Sequence, residues 1–340
     1  MRSMRFLAIL VLTATPPLLP PAWAQGGVSS HRVTPAMRPD VYEQLKRAQT
    51  CVRDRDYDCA ESETAALFDR DDLSSYERAQ AWNFRAYLDF NREDIDSAIT
   101  DYENLLAEAD VPTGLQRQSQ YSLARLYLSR SRPEDALVVL DQWWNEAEPS
   151  GPDPFVLRAQ IAYQRHDYSA SLAAIDTAID SAGQRGADVE EGWYQLKNAS
   201  LWALGEHAQA AETLETMLRL WPQRDYYIQL ARIYKELGND ARKRDLYEAA
   251  YASGWLDHGA DIITLAEYRI ESGHLIEALN ALRQNREHGY IVDGDALRSL
   301  IAAIRRWNRG EPINDEERET LIRNALLEQQ DAERPRHIRL

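Results

Sequence analysis

The stretch WALGEHAQAAETLETMLRLWP (202–222) carries the pattern that decides the fold. Gly205 interrupts one helical pattern, and a second pattern follows it that contains Ala210 and Leu214 and ends at Pro222. Gly and Pro commonly end helices, and a small residue within a helix lets a neighbouring helix approach closely. The stretch therefore predicts a helix-turn-helix hairpin.

The same pattern returns along the chain, so the hairpin is one copy of a repeat. Clear copies are LARLYLSRSRPEDALVVLDQWW (123–144), AQIAYQRHDYSASLAAIDTAI (159–179), LARIYKELGNDARKRDLYEAAY (230–251) and LAEYRIESGHLIEALNALRQN (265–285), with looser copies at 48–68 and 86–106. The position of the small residue in the second helix, called the anchor here, recurs at spacings of 38, 38, 35, 39, 33 and 35 residues. The anchors are Ala60, Ala98, Ala136, Ser171, Ala210, Lys243 and Ala278.

These repeats resemble the tetratricopeptide repeat (TPR) family, whose helix-turn-helix unit carries W-x2-L-G-x2-Y and then Ala, Phe and Pro. Asn198 and Lys243 depart from the pattern, because each stands where a small residue is expected. The resemblance covers residues 40–285 and implies an all-α TPR superhelical solenoid of about seven repeats plus C-terminal capping helices. The third repeat matches best, through Leu123, Ala124, Tyr127, Ala136 and Leu140.

The first 24 residues have the pattern of a secretory signal peptide. A basic MRSMR start precedes the apolar run FLAILVLTA, and Ala22-Trp23-Ala24 supplies an A-x-A cleavage site. The alternative, a buried or membrane-spanning helix, is disfavoured because the run is shorter than the roughly 20 residues that span a bilayer. Gln25, rather than Cys, follows the site, so a lipoprotein signal is not indicated. We expect cleavage after Ala24 and export to the periplasm.

The charge of the chain limits its partners. Its formal net charge is −16, and removal of Arg2 and Arg5 with the signal peptide would make it −18. Nucleic acids and anionic lipid surfaces attract basic proteins, so neither is an expected direct partner. No later segment has the length and apolarity of a membrane span, and membrane association is expected only through partners.

Five segments are predicted in chain order. The signal peptide (1–24) precedes a flexible N-terminal segment (25–39), the TPR solenoid (40–290), C-terminal capping helices (291–330) and a disordered tail (331–340). The capping helices would cover the apolar end of the repeat stack.

The only two cysteines, Cys51 and Cys59, lie in the first repeat. An oxidising compartment favours a disulfide between them, which would staple the N-terminal hairpin. Two free thiols or half of a metal site are the alternatives, although no His lies near in sequence to complete a zinc site.

Motifs for catalysis are missing from the sequence. It contains no H-E-x-x-H, G-x-S-x-G, phosphate-binding loop or dinucleotide-binding pattern. His166, His207 and His274 recur in predicted turns between helices, where polar residues are common. The sequence therefore predicts a non-enzymatic protein with no cofactor and no metal site.

The TPR resemblance implies a binding groove, because helix A of each repeat lines the inner surface of such a solenoid. Aromatic and Arg side chains there are typical of binding hot spots. The alternative interpretation is that these aromatics pack in the core, with the register shifted by one residue. The groove residues implied are Asn83, Tyr87, Phe90, Tyr121, Arg125, Gln160, Tyr163, Gln195, Trp202, Ile228, Arg232 and Lys235.

A closer resemblance is to periplasmic TPR proteins associated with TonB–ExbB–ExbD energy-transduction systems. It rests on the export signal and on AWNFRAYLDF (81–90), GWYQLKNASLWALGEHAQAAETLETMLRLWP (192–222) and DYYIQLARIYKELGNDARKRDLYEAAYASGWL (225–256). It implies a non-catalytic accessory of TonB-dependent transport that binds components of that system. The alternatives are a scaffold for envelope assembly (outer-membrane biogenesis, polysaccharide export or cell-wall synthesis) and a glycan-binding accessory.

Overall fold

Sixteen α-helices form the regular structure of residues 37–146 and 149–333, the part of the chain that a computed structural model describes. No strand occurs in those residues. The predicted signal peptide and residues 25–36 lie outside them. The helices are α1 (Pro39–Arg53), α2 (Tyr57–Phe68), α3 (Ser75–Asn91), α4 (Ile95–Ala107), α5 (Thr113–Ser129), α6 (Pro133–Glu146), α7 (Asp153–Gln164), α8 (Tyr168–Arg185), α9 (Glu191–Leu204), α10 (His207–Leu220), α11 (Arg224–Glu236), α12 (Asp240–Ala252), α13 (Gly259–Glu271), α14 (Leu275–Glu287), α15 (Asp295–Asn308) and α16 (Asp315–Glu333).

The helices divide into two compact units, one ending at Gly205 and one beginning at Glu206. In the first unit, α1–α2, α3–α4, α5–α6 and α7–α8 form consecutive hairpins, and α9 packs against α8 and α7. In the second unit, α10 packs against α11, and α11–α12 and α13–α14 form hairpins. Each unit is therefore built from helical hairpins stacked in chain order, and the predicted all-α fold of helix-turn-helix repeats is confirmed.

The turns between helices confirm the repeat register. Five residues before each anchor, one turn residue has a positive φ, between 56° and 80°. Six of the seven anchors are completely buried, as expected for a residue at a close helix–helix contact. The positive-φ residues are Arg55, Glu93, Ser131, His166, Gly205, Gly238 and Gly273.

The residue after the positive-φ position often starts the second helix. Asp56, Asp94, Asp167 and Asn239 are N-caps, and each side chain accepts a hydrogen bond from the backbone N–H three residues further on. Such a cap satisfies one of the free N–H groups at a helix start and contributes about 1 kcal/mol. A short polar residue after the turn therefore fixes where the second helix begins.

We expect Glu93→Gly to stabilise the protein by about 1 kcal/mol and Gly238→Ala to destabilise it by a similar amount, because the left-handed conformation penalises any residue with a Cβ. A Cβ at Gly238 would meet no atom within 4 Å, so the cost is conformational. Urea unfolding of the two variants measures both effects. Gly114→Ala is the control, since Gly114 has open space and no positive φ; equal effects at all three sites would contradict the prediction.

The hairpin α11–α12 shows the effect of the departure at Lys243. Instead of a small buried residue, this anchor is a half-buried lysine whose Nζ lies 4.9 Å from the centre of the Tyr268 ring. Within α12, all of which is described, Ala250 is the one buried residue. The hairpin therefore forms without a small residue at its anchor, and its second helix has little buried apolar surface.

The two C-terminal helices close the second unit. α16 packs against α13 and α15, and it runs to Glu333, three residues into the predicted tail. The buried Gln329 side chain accepts from Val292 N (2.9 Å) and donates to Val292 O (3.0 Å). The Glu328 carboxylate accepts from the N–H groups of Ala296 and Leu297, at the start of α15. These side-chain contacts fix α16 to the linker before α15 and to the first turn of that helix.

Candidate functional site

The first helices of the hairpins in the first unit form a row. α1 contacts α3, and α7 contacts both α5 and α9. Each second helix, from α2 to α8, packs against the first helices before and after it, so α4 links α3 to α5. Side chains that leave the row on the side away from the second helices share one surface, called the inner face here. The implied groove residues of the first unit occupy equivalent positions along this row.

The structure divides the implied groove residues between the two units. Those from Asn83 to Trp202 lie in the first unit, whereas Ile228, Arg232 and Lys235 lie on α11 of the second. Asn83 differs from the others because it is only 3% exposed, so its side chain lies beneath the surface of hairpin α3–α4. Gln195, Arg232 and Lys235 are exposed. Those that are half-buried are Tyr87, Phe90, Tyr121, Arg125, Gln160, Tyr163, Trp202 and Ile228.

Tyr121 belongs to a line of aromatic side chains that joins α5, α6 and α7. Its ring centre lies 5.4 Å from that of Trp143, and Trp144 meets Phe155 edge to face at 5.2 Å. The Arg158 guanidinium lies 4.9 Å from the Trp144 ring centre. Tyr121 therefore packs against the second helix of its own hairpin, and the Trp144–Phe155 contact continues the line into the next repeat. Packing was the alternative interpretation of the groove aromatics.

Arg125 brings a cation into a largely desolvated part of the inner face. Burial lowers the pKa of its guanidinium, and the neighbouring Tyr121 and Asp153 oppose that shift. Burial raises the pKa of Tyr121 to about 12, so this hydroxyl remains a hydrogen-bond donor at neutral pH. A carboxylate that reached Arg125 would meet it in a low-dielectric setting, where charge–charge attraction is stronger than in water.

A pair of carboxyl groups lies inside hairpin α3–α4. Asp89 and Asp101 are 7% and 2% exposed, and their carboxyls hydrogen bond to each other. Arg85 is the nearby cation, with its Nε 3.5 Å from Asp101 Oδ2. Burial raises the pKa of Asp101 to about 8, the charge of Arg85 opposes the shift, and the Asp89 carboxyl adds to it. One of the two carboxyls therefore holds a proton at neutral pH.

A pocket of about 730 Å³ opens between the first two hairpins. Tyr87 is the one implied groove residue in its lining. Gln49 and Val52 stand 11 and 8 residues before the anchor Ala60, as Tyr87 and Phe90 stand before Ala98. Extending the groove register to the first repeat would therefore have indicated these two lining residues. This cavity is called the first-hairpin pocket here, and it is lined by Gln49, Thr50, Val52, Arg53, Arg55, Tyr57, Tyr87 and Asn91.

A disulfide borders this pocket. Cys51, near the end of α1, is bonded to Cys59, near the start of α2, with 5.8 Å between their Cα atoms. That separation lies in the usual range for disulfides. The bond encloses the segment that carries Arg53, Arg55 and Tyr57, so it restrains one side of the pocket.

We expect replacing both cysteines with Ser to destabilise the first unit by about 2–3 kcal/mol, because the bond closes a loop with a sequence separation of 8. Urea unfolding of the wild type with and without dithiothreitol, beside the Cys51→Ser/Cys59→Ser variant, measures the loss. The reduced wild type should match the double variant. Equal stability of the oxidised wild type and the variant would contradict the expectation.

Within 37–146 and 149–333, no group of three or more His, Cys, Asp or Glu side chains is arranged to hold a metal ion. Over the same residues, no helix combines the length and the apolarity needed to cross a membrane.

Comparisons with known proteins give similarity of fold alone. No protein-family model matches the chain, and no curated protein sequence matches it. Among solved structures, a tetratricopeptide repeat protein from Parabacteroides merdae is 14% identical, with 78% of this chain and 98% of that one covered and a TM-score of 0.48. The C-terminal part of a TPR protein from Cytophaga hutchinsonii is 14% identical, with 70% and 93% covered and a TM-score of 0.49. PilW, a type IV pilus biogenesis factor, is 14% identical, with 64% and 94% covered and a TM-score of 0.44.

Proposed function

We propose that the protein is a non-catalytic scaffold that binds an extended segment of a protein partner along the inner face of its first unit. The observation that carries the proposal is the row formed by α1, α3, α5, α7 and α9, on which aromatic, cationic and amide side chains recur at equivalent positions. Helical repeats of this kind present a long surface rather than a closed pocket, and such a surface suits an extended chain.

The side chains on the row suit peptide recognition. Tyr87 and Tyr163 are half-buried, so each offers a ring surface whose orientation is already restricted. Aromatic side chains supply large contact areas for few lost rotamers, and Arg adds directed hydrogen bonds. Gln160 and Gln195 carry amides, which can pair with the N–H and C=O groups of a bound backbone.

We place the protein in the periplasm and propose a role as an accessory of TonB-dependent transport. The predicted signal peptide supports the location, and the sequence resemblance over 192–222 and 225–256 supports the TonB–ExbB–ExbD system as the source of the partner. A scaffold for envelope assembly is the alternative, and it would use the same inner face with a different partner.

An affinity capture from cross-linked cell envelopes tests the proposal. The bait is the protein without its predicted signal peptide, and recovered proteins are identified by mass spectrometry. The groove variant is Arg125→Glu, on the inner face of the first unit. Its matched control is Arg305→Glu, which changes the net charge equally at an exposed position of α15. Circular dichroism establishes that each variant is folded before capture.

The proposal predicts that TonB, ExbB or ExbD is enriched by the wild type and by the α15 control, and lost with the groove variant. Enrichment of outer-membrane or cell-wall assembly proteins with the same variant dependence would assign the scaffold to envelope assembly. Equal recovery of every protein by the wild type and the groove variant would contradict binding through the inner face.

A further inference from the structure

We propose that the first-hairpin pocket receives an acidic side chain or a terminal carboxylate of the bound partner, next to an apolar or aromatic side chain. The inference rests on the proposed peptide-binding function and specifies its chemistry at one place. It comes from how the fold distributes the charges of RDRDYD (53–58).

The fold separates the positive from the negative members of that run. Arg53, Arg55 and Tyr57 line the pocket, and the three intervening aspartates do not. Asp56 caps α2, accepting from Cys59 N at 3.0 Å, and Asp58 lies 3.8 Å from Arg92 on the next hairpin. The pocket lining therefore holds two guanidinium groups and no carboxylate, although the run contains two Arg and three Asp.

The two arginines are accessible to a ligand. Arg55 has no ion-pair partner within 4.0 Å among the described residues, and Arg53 has a contact of 3.7 Å to the neighbouring Asp54 with both side chains well exposed. Exposed neighbouring pairs of this kind contribute little free energy. A carboxylate placed between the guanidinium groups would make charge-assisted hydrogen bonds that the free protein lacks.

The remaining lining defines what accompanies the carboxylate. Tyr57 and Tyr87 supply rings and Val52 an apolar side chain, which suit an apolar or aromatic neighbour in the bound peptide. Asn91 donates its side-chain N–H to Tyr87 O at 2.7 Å, which leaves its amide oxygen able to accept from a peptide N–H. The pocket thus combines binding groups for an anion, an apolar side chain and a backbone amide.

The segment that carries the arginines is held in place before binding. The Cys51–Cys59 bond encloses it, and Asp56 fixes its end to the first turn of α2. A restrained loop loses less conformational freedom when a ligand binds. We therefore expect reduction of the disulfide to weaken binding of acidic peptides.

Substitution of Arg55 by Gly is expected to raise the stability of the fold and to lower the affinity for the peptide, so the two effects can be told apart. Its φ is 60°, the left-handed conformation that Gly occupies at the equivalent turn positions Gly238 and Gly273. Arg55→Gly therefore removes the guanidinium and relieves the backbone. Glu93→Gly makes the same backbone change in the second hairpin, outside the pocket, and is the matched control.

The experiment is a selection of random heptapeptides displayed on phage against the immobilised protein, followed by fluorescence anisotropy with the recovered peptides. We expect recovered peptides to be enriched in Asp and Glu, and Arg55→Gly to weaken their binding about 10-fold or more while Glu93→Gly changes it less than 2-fold. Replacing the peptide's Glu with Gln should cause a loss as large as Arg55→Gly, and Arg53→Gln should also weaken binding.

Three results would overturn the inference: recovery of no peptide above background, no acidic enrichment, or binding that Arg55→Gly leaves unchanged. Calorimetric binding of a neutral chitooligosaccharide that is lost in Tyr87→Ala and retained in Arg55→Gly would assign the pocket to glycan instead. If the envelope capture still recovers a partner that the groove variant loses, the proposed function stands without this pocket chemistry. Failure of both experiments would contradict both proposals.

Discussion

Gly259→Ala should destabilise the second unit by about 2–4 kcal/mol. A Cβ at this first residue of α13 would lie 2.4 Å from Gln329 Oε1 and 2.9 Å from the Tyr290 carbonyl oxygen. Gln329 is 1% exposed, and both the oxygen and the nitrogen of its side-chain amide hydrogen bond to the backbone of Val292. To admit the Cβ, the Gln329 amide must give up that double hydrogen bond or α16 must move away from α13, and the backbone at Tyr290 must also shift.

Urea unfolding measures the loss, and hydrogen exchange in α13 and α16 locates it. Gly114→Ala and Gly192→Ala are matched controls, because both glycines lie in the first turn of a helix and a Cβ there meets nothing within 4 Å. They should be neutral or stabilising by up to about 1 kcal/mol. A Gly259→Ala variant as stable as these controls would contradict the described contact between α16 and α13.

Asp101→Asn should stabilise the first unit by about 1–3 kcal/mol at pH 8 and reduce the dependence of its stability on pH. Burial raises the pKa of Asp101 to about 8 in the folded protein, above its ordinary value of 3.8. The folded state therefore binds more protons than the unfolded state between these values. This contribution to stability is fully present below about pH 4 and is lost as the pH rises through about 8.

The amide of Asn removes that dependence because it stays neutral and can donate to Asp89. Stability measured by urea unfolding from pH 4 to pH 9 should fall in the wild type more steeply than in Asp101→Asn. Besides burial, three neighbouring groups shift the pKa of Asp101: Arg85 lowers it, and Asp89 and the charge of Asp94 raise it. Asp71→Asn, at an exposed position, is the control and should leave the wild-type profile unchanged. Parallel profiles for all three proteins would show that Asp101 ionises normally.

The repeat pattern predicted most of the fold because it records two local requirements. Each turn needs a residue at positive φ, and each hairpin needs a small residue five positions later, as at Gly205 and Ala210. Both requirements act within one hairpin, so they can be found without knowing which hairpins meet. The departure at Lys243 was visible in the sequence, and the helix that carries it, α12, has one buried residue.

Contacts between distant segments could not be predicted in this way. The clamp of Gln329 on Val292 joins residues 37 positions apart through a side-chain amide, and no spacing rule indicates it. Asp89 and Asp101 look like ordinary exposed acids of two helices until the hairpin closes. Asn83 occupies a position equivalent to groove residues in other repeats, yet it is only 3% exposed.

The repeat register predicted only those residues of the candidate site that lie on first helices. Register alone placed Tyr87, Tyr163 and Gln195 on the first helices of their hairpins, and the structure leaves all three at least partly exposed. The first-hairpin pocket also needs Arg55 and Tyr57, which come from a turn and from a second helix. A rule that considers only first helices misses such residues.

Site-specific photo-cross-linking in cells would show whether the partner lies against the inner face of the first unit. A benzophenone amino acid is placed at Gln160, on the inner face, and separately at Val138, which is 59% exposed on the second helix α6. We expect the Gln160 probe to cross-link a discrete envelope protein in living cells, and the Val138 probe to give none above background. A partner captured from Val138 and not from Gln160 would contradict the account.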